Sequence, residues 1–213
     1  MKPIYLTVPT IIIAAALLTG CGQTVNSVGT NEPGGLFEHN EIQDLPRQNI
    51  SEQEREDLLL LRQEESLAGD LYASFHDTHG HRMYDNIARS EDQHTGAVKT
   101  LLDKYEIADP VKGTGSYTDD DLQAAFKDLQ SQGAESHTEA LKAAAYLEER
   151  DIRDLNNALN NTDNEDITTV YESLRKGSAN HLKAFQRQLN RQGETYELQY
   201  ITQDQVNKYS DKR

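Results

Sequence analysis

Between residues 84 and 105 the apolar side chains Tyr84, Ile87, Val98, Leu101 and Tyr105 fall on a register of alternating steps of three and four. That is the stripe of a helix burying one face. Two members of the stripe are polar: Glu91 and His94 stand in register with the apolar residues on either side. Burying such groups without partners costs on the order of several kcal/mol. Either partners meet them inside, or the stripe is less buried than its apolar members imply.

The same pattern recurs along the chain. Ser51 and Glu54 have capping-box spacing, and the helix they open carries Leu58, Leu61, Ala68, Tyr72 and Phe75, with Glu65 filling the gap. A second stripe, Leu60, Leu67 and Leu71, would turn Glu64 inward instead, and periodicity leaves both open. This helix should stop near Gly80, and the next before Pro110. Residues 106–117 read as a loop rich in Gly and Asp. Thr118 with Asp121 then predicts a short helix, ended by Gly133, whose apolar side holds Leu122, Ala125, Phe126 and Leu129. Ser136 with Glu139 opens a third long helix, in which Leu141, Ala145, Ile152, Leu155 and Leu159 leave one interior place to Glu148. A fourth, capped by Asp163, has Ile167, Val170 or Tyr171, Leu174 and Phe185 on its stripe, and Ser178 and His181 in between. After Gly193 the period shortens: Tyr196, Leu198 and Tyr200 alternate with polar residues, predicting a short extended segment along the helices.

The N-terminus breaks this pattern. Lys2 precedes an apolar run from Ile4 to Leu18, then Leu18-Thr19-Gly20-Cys21, the form of an export signal with a bacterial lipobox. The run is too short for an ordinary membrane span. Cys21 is the single cysteine, so no internal disulfide forms. The expected organisation is a signal peptide at 1–20, a lipid-bearing Cys21 with a disordered tether to residue 50, a helical domain at 51–192 and a tail at 193–213. The expected location is the outer face of the cell membrane, or the outer membrane, with lipid as the membrane partner. The formal charge is −15, and all 36 acidic residues follow Cys21. Such a surface argues against nucleic acid as a partner. Assembly into a homodimer is left open by the pattern.

Four long helices thus each carry polar residues at mid-stripe: Glu65, Glu91 with His94, Glu148, and His181. Side chains at helix centres converge in a bundle, and di-metal carboxylate proteins use one Glu from each of two helices plus Glu-x-x-His from each of the other two. Here one Glu-x-x-His is complete, whereas the fourth helix reads Ser178-Ala179-Asn180-His181. The expected ligands are therefore Glu65, Glu91 as a bridge, His94, Glu148 and His181, holding one or two divalent ions. Carboxylate and imidazole suit iron, manganese or zinc, and geometry decides among them; iron is the first expectation. Asp151, one turn beyond Glu148, or Glu64 could stand in for the carboxylate missing at Ser178. His76, His79 and His81 form a separate group in the first interhelical turn. No phosphate loop, catalytic triad or Cys-x-x-Cys pair is present.

The segment Glu64-Glu65-Ser66-Leu67-Ala68-Gly69-Asp70-Leu71-Tyr72 resembles the first helix of rubrerythrin-type ferritin-like proteins, and Ile87 to His94 resembles their second. More closely, residues 52–192 resemble an uncharacterised ferritin-like family, domain of unknown function 2202. The resemblance rests on Ser90-Glu91-Asp92-Gln93-His94, Leu147-Glu148-Glu149-Arg150-Asp151-Ile152, Thr162-Asp163-Asn164-Glu165-Asp166 and Gly177-Ser178-Ala179-Asn180-His181-Leu182. It implies an all-α ferritin-like four-helix bundle with a short extra helix between the second and third, and favours Glu65 over Glu64. Ser178 stands where rubrerythrins place a carboxylate. Two functions follow as expectations: a lipid-anchored metal-binding protein handling oxygen, peroxide or iron, or a metal-free envelope module that binds a protein partner.

Overall fold

A computed structural model describes residues 39–211 and shows them as all-helical. The elements are α1 (His39–Asp44), α2 (Glu52–His79), α3 (Arg82–Lys104), α4 (Asp120–Glu135), α5 (His137–Asn161), α6 (Glu165–Arg191) and α7 (Gln203–Tyr209). The long helix α2 packs against α3 and α5, and α6 packs against α5 and α3. The helix α4 lies in the α3–α5 connection and leans on α2 and α5, while α7 rests on α6. Among the described residues no helix is long and apolar enough to cross a membrane. The expected signal peptide and Cys21 lie outside the described residues.

Local chemistry sets the helix ends. Ser51 accepts from Glu54 N and Glu54 accepts from Ser51 N, so both halves of the predicted capping box form. Gly80, at φ 70°, ends α2 in the left-handed conformation that costs glycine nothing. Ser136 caps α5 through Glu139 N, but the Glu139 carboxylate is taken by Gln132 and Lys142, so only half of that box forms.

Four expectations need correction. Asp119, not Thr118, caps α4, because Thr118 gives both its amide and its hydroxyl to Gln63. Gly133 does not end α4, which runs to Glu135. It is buried against the Phe75 ring, and a Cβ there would lie 2.2 Å from Phe75 Cε1. Asn164 rather than Asp163 stands at the start of α6, with its amide turned to Asn49 O. Among the described residues the tail contains no strand. Residues 194–202 follow α5 irregularly because the buried Glu149 carboxylate takes the amides of Gln199, Tyr200 and Ile201 and the Tyr196 hydroxyl. Those amides are satisfied without a ladder, and the chain then re-enters a helix, α7.

Part of the stretch assigned to the tether is also ordered against the helices. In α1, Ile42 is buried, and Lys104 donates to the carbonyls of Ile42 and Leu45. The stretch up to residue 50 has few apolar side chains, but the buried Ile42 and the two bonds donated by Lys104 dock this part of it on α3.

The apolar interior is divided. One cluster holds Leu71, Tyr72, Phe75, Tyr84, Ile87, Leu182 and Phe185, and the other Leu58, Leu61, Val98, Leu101, Leu155, Ile167 and Leu174. On α2 and α3 the boundary between the clusters falls at Glu65 and at Glu91 with His94, and on α6 at Ser178, one turn before His181.

Candidate metal centre

The five side chains singled out by periodicity meet at this boundary. Glu65 enters from α2, Glu91 and His94 from α3, Glu148 from α5 and His181 from α6. None of the first four is more than 3% exposed, and the His181 side chain is 11% exposed. On one side of Glu91, its Oε2 lies 2.7 Å from His94 Nδ1, which is 3.1 Å from Glu65 Oε2. On the other side, Glu91 Oε1 lies 2.8 Å from His181 Nδ1, which is 3.4 Å from Glu148 Oε1. Two trios result, Glu65–Glu91–His94 and Glu91–Glu148–His181, each with one ligand atom per residue and all such atoms within 4.8 Å of one another. Glu91 belongs to both.

Hydrogen bonding does not satisfy this group. Glu65 Oε1, Glu91 Oε1 and His181 Nδ1 are buried without a hydrogen-bond partner. The 2.8 Å approach of His181 to Glu91 is thus an ion-pair distance without hydrogen-bond alignment. Orphaned buried donors and acceptors are rare in folded proteins, and several at one point mark a place where a cation fits.

The expected alternatives at α2 separate clearly. Glu65 faces His94, whereas Glu64, also buried, joins neither trio and lies toward Asp154, Arg150 and Arg153. Its carboxyl is pushed up to about 8, by burial first and then by Asp154. The turn histidines lie apart from the centre. His81 stacks on His137 at 3.7 Å between ring centroids, and His79 lies 5.9 Å from His137.

A family model described as an uncharacterized protein domain, DUF2202, matches residues 54–211. The chain belongs to this family. The uncharacterized protein MJ0754 of Methanocaldococcus jannaschii is 45% identical over 166 residues, 77% of this chain and 90% of the relative. The crystal structure of the hypothetical protein MJ0754 from Methanococcus jannaschii aligns with a TM-score of 0.75 at 44% identity, covering 78% of this chain and 95% of that one. The DUF2202 match contains both trios.

Three residues take parts at this centre that the sequence reading did not assign to them. Tyr72, expected as core, donates its hydroxyl to Glu148 Oε1 at 2.7 Å. Gly177 leaves space for a ring: a Cβ there would stand 2.5 Å from His94 Cε1 and Nε2. Ser178 donates to Asp151 Oδ2 across the α5–α6 interface. Tyr72 sits seven residues after Glu65, two turns on along the same face, which is a readable signal. Nothing in the sequence distinguishes Gly177 from any other small helix residue.

The fields are mutual. Burial opposes ionisation of Glu91, yet His94 and His181 hold its carboxyl well below the usual range. Burial works against both imidazolium forms too. Glu91 and Glu65 nevertheless raise His94 well above its ordinary value, and Glu91 with Glu148 raises His181 to about 10. Glu148 is pushed up to about 7, by burial first and then by Glu91. Burial likewise raises Glu65, against the pull of His94.

Proposed function

We propose that this DUF2202 chain is a ferritin-like four-helix bundle, with α4 as the extra helix of its crossover, that holds divalent metal in the chamber between α2, α3, α5 and α6. Iron is the first choice, with manganese and zinc as alternatives, and the work of the site is the handling of oxygen, peroxide or iron. The observation that carries the reading is Glu91: each oxygen of one buried carboxylate faces a histidine and a further carboxylate.

Glu65 and His94 would hold an ion on one side of Glu91, and Glu148 and His181 on the other. Bound iron would supply redox chemistry toward oxygen species. The chain's own contribution is to keep the ligands in place and the chamber dry. Tyr72 fixes Glu148, the Gly177 gap seats His94, and the two apolar clusters close the chamber at either end. The proposal includes export and a lipid on Cys21 as the membrane anchor, on the strength of the lipobox pattern alone. A metal-free envelope module is the less favoured reading, since it leaves Glu65 Oε1, Glu91 Oε1 and His181 Nδ1 buried and unsatisfied.

Elemental analysis of tag-free protein, loaded anaerobically with ferrous iron and desalted, tests the proposal. Metal should be retained near stoichiometry, and Glu91→Ala should lose it, because both trios share that residue. Equal, near-zero retention by both proteins would refute the metal reading.

A further inference from the structure

The fourth helix lacks its expected carboxylate, and the structure points to where a replacement stands. Ser178 is 1% exposed, and its hydroxyl donates to Asp151 Oδ2 on the facing helix α5, with Leu174 O also 3.0 Å away. Asp151 follows Glu148 at the i+3 spacing by which His94 follows Glu91, so each pair shares a helix face. The Asp151 side chain is 9% exposed, and its Oδ1 is buried with no hydrogen-bond partner. Glu65, Glu64 and Glu148 all act on it as nearby like charges. It belongs to neither trio, but it stands one turn from Glu148 on α5 and is bonded to Ser178, one turn from His181 on α6.

Charge balance gives this placement a consequence. With neutral imidazoles, the trios bring the carboxylates of Glu65, Glu91 and Glu148, and so three negative charges. Two divalent ions would leave that set with an excess positive charge in a buried site, where uncompensated charge is costly. One more carboxylate brings the sum to zero. Glu64 is a poorer source, since it lies toward Asp154, Arg150 and Arg153.

We propose that Asp151, aimed by the Ser178 hydroxyl, is the fourth carboxylate of the centre and lets it hold two divalent ions rather than one. The inference rests on the metal reading above. In it, α5 supplies the acid that α6 lacks, and the serine on α6 orients it. Asp151 offers Oδ1 to the metal while Oδ2 stays fixed by Ser178.

The test is anaerobic titration of the full chain with ferrous iron, followed by calorimetry, with metal per chain checked by elemental analysis. Wild type should take up two ions. Asp151→Asn, nearly the same shape, should take up one, with the second weakened at least tenfold. Ser178→Ala keeps the acid but not its aim, and should keep two ions with the second weakened about tenfold, the usual scale for loss of a ligand-orienting partner. The double variant Asp151→Ser with Ser178→Glu returns the acid to α6 and should restore two. That rescue separates a metal role from a structural one, and it remains decisive if Asp151→Asn is unstable. Two ions in Asp151→Asn at unchanged affinity would overturn the inference, as would a single ion in wild type unaltered by the substitution. No ion in wild type would instead overturn the metal reading itself.

Discussion

At the scale of single residues, the centre depends on what is absent as much as on what is present. Gly177 has no special backbone conformation to serve, because it lies inside α6. Its value is the missing side chain, whose place is filled by the His94 ring. A methyl group there would meet Cε1 and Nε2 at 2.5 Å, and both ring and helix would have to shift. Gly177→Ala should therefore cost about 1–3 kcal/mol of stability, the usual scale of overpacking, despite alanine's better helix propensity. It should also weaken metal retention on the His94 side. Thermal unfolding and metal analysis of the variant check both. A more stable Gly177→Ala protein with wild-type metal content would show that the ring is not seated as described. The ligand-type residues were legible because a charged or imidazole side chain interrupts an apolar stripe. Gly177 interrupts nothing, and its role comes from a neighbour 83 positions away in the chain, which only packing reveals.

At the scale of elements, the joint between α2, α3 and α5 carries its own titration. His137 opens α5, and its Nδ1 lies 3.3 Å from the Tyr84 hydroxyl on α3, with His81 stacked beside it and His79 of α2 close by. Its imidazole is pushed down to about 4, by partial burial first and then by His81 and His79. The sign follows from linkage. The unfolded chain protonates this histidine near its ordinary value while the folded chain resists, so stability is lost as pH falls from about 6.5 toward 4. Replacing it by His137→Gln should flatten that part of the stability profile. Urea unfolding at a series of pH values between 7 and 4 measures it, and parallel profiles for the two proteins would contradict the assignment. Elements themselves were well marked in the sequence where capping and periodicity agreed, as at Ser51, Gly80 and Ser136. At α4 the start was misread because a tertiary partner competed for the capping group: Gln63 claims Thr118. The tail was misread for a related reason. Alternation in Tyr196, Leu198 and Tyr200 signals a strand only if a neighbouring strand takes the amides, and here Glu149 takes them.

At the scale of the whole molecule, a polar layer divides the interior into two apolar clusters. Such a layer is expensive to keep, and a chain that keeps it gains something other than stability from it. The convergence of Glu65, Glu91, His94, Glu148 and His181 was legible because all four helices place their polar interruption at mid-stripe. The contribution of Asp151 was legible only as an alternative to Glu64, since sequence spacing does not reveal which helix face turns toward Ser178. The central claim concerns positions in space, so the most direct measurement is anomalous X-ray diffraction from crystals loaded with iron or manganese, with data collected at the metal edge. The account predicts two peaks inside the chamber, one on each side of the Glu91 carboxylate, the first against Glu65 and His94 and the second against Glu148 and His181. Anomalous density confined to the acidic surface, with the chamber empty and these side chains hydrogen-bonded to one another, would contradict it.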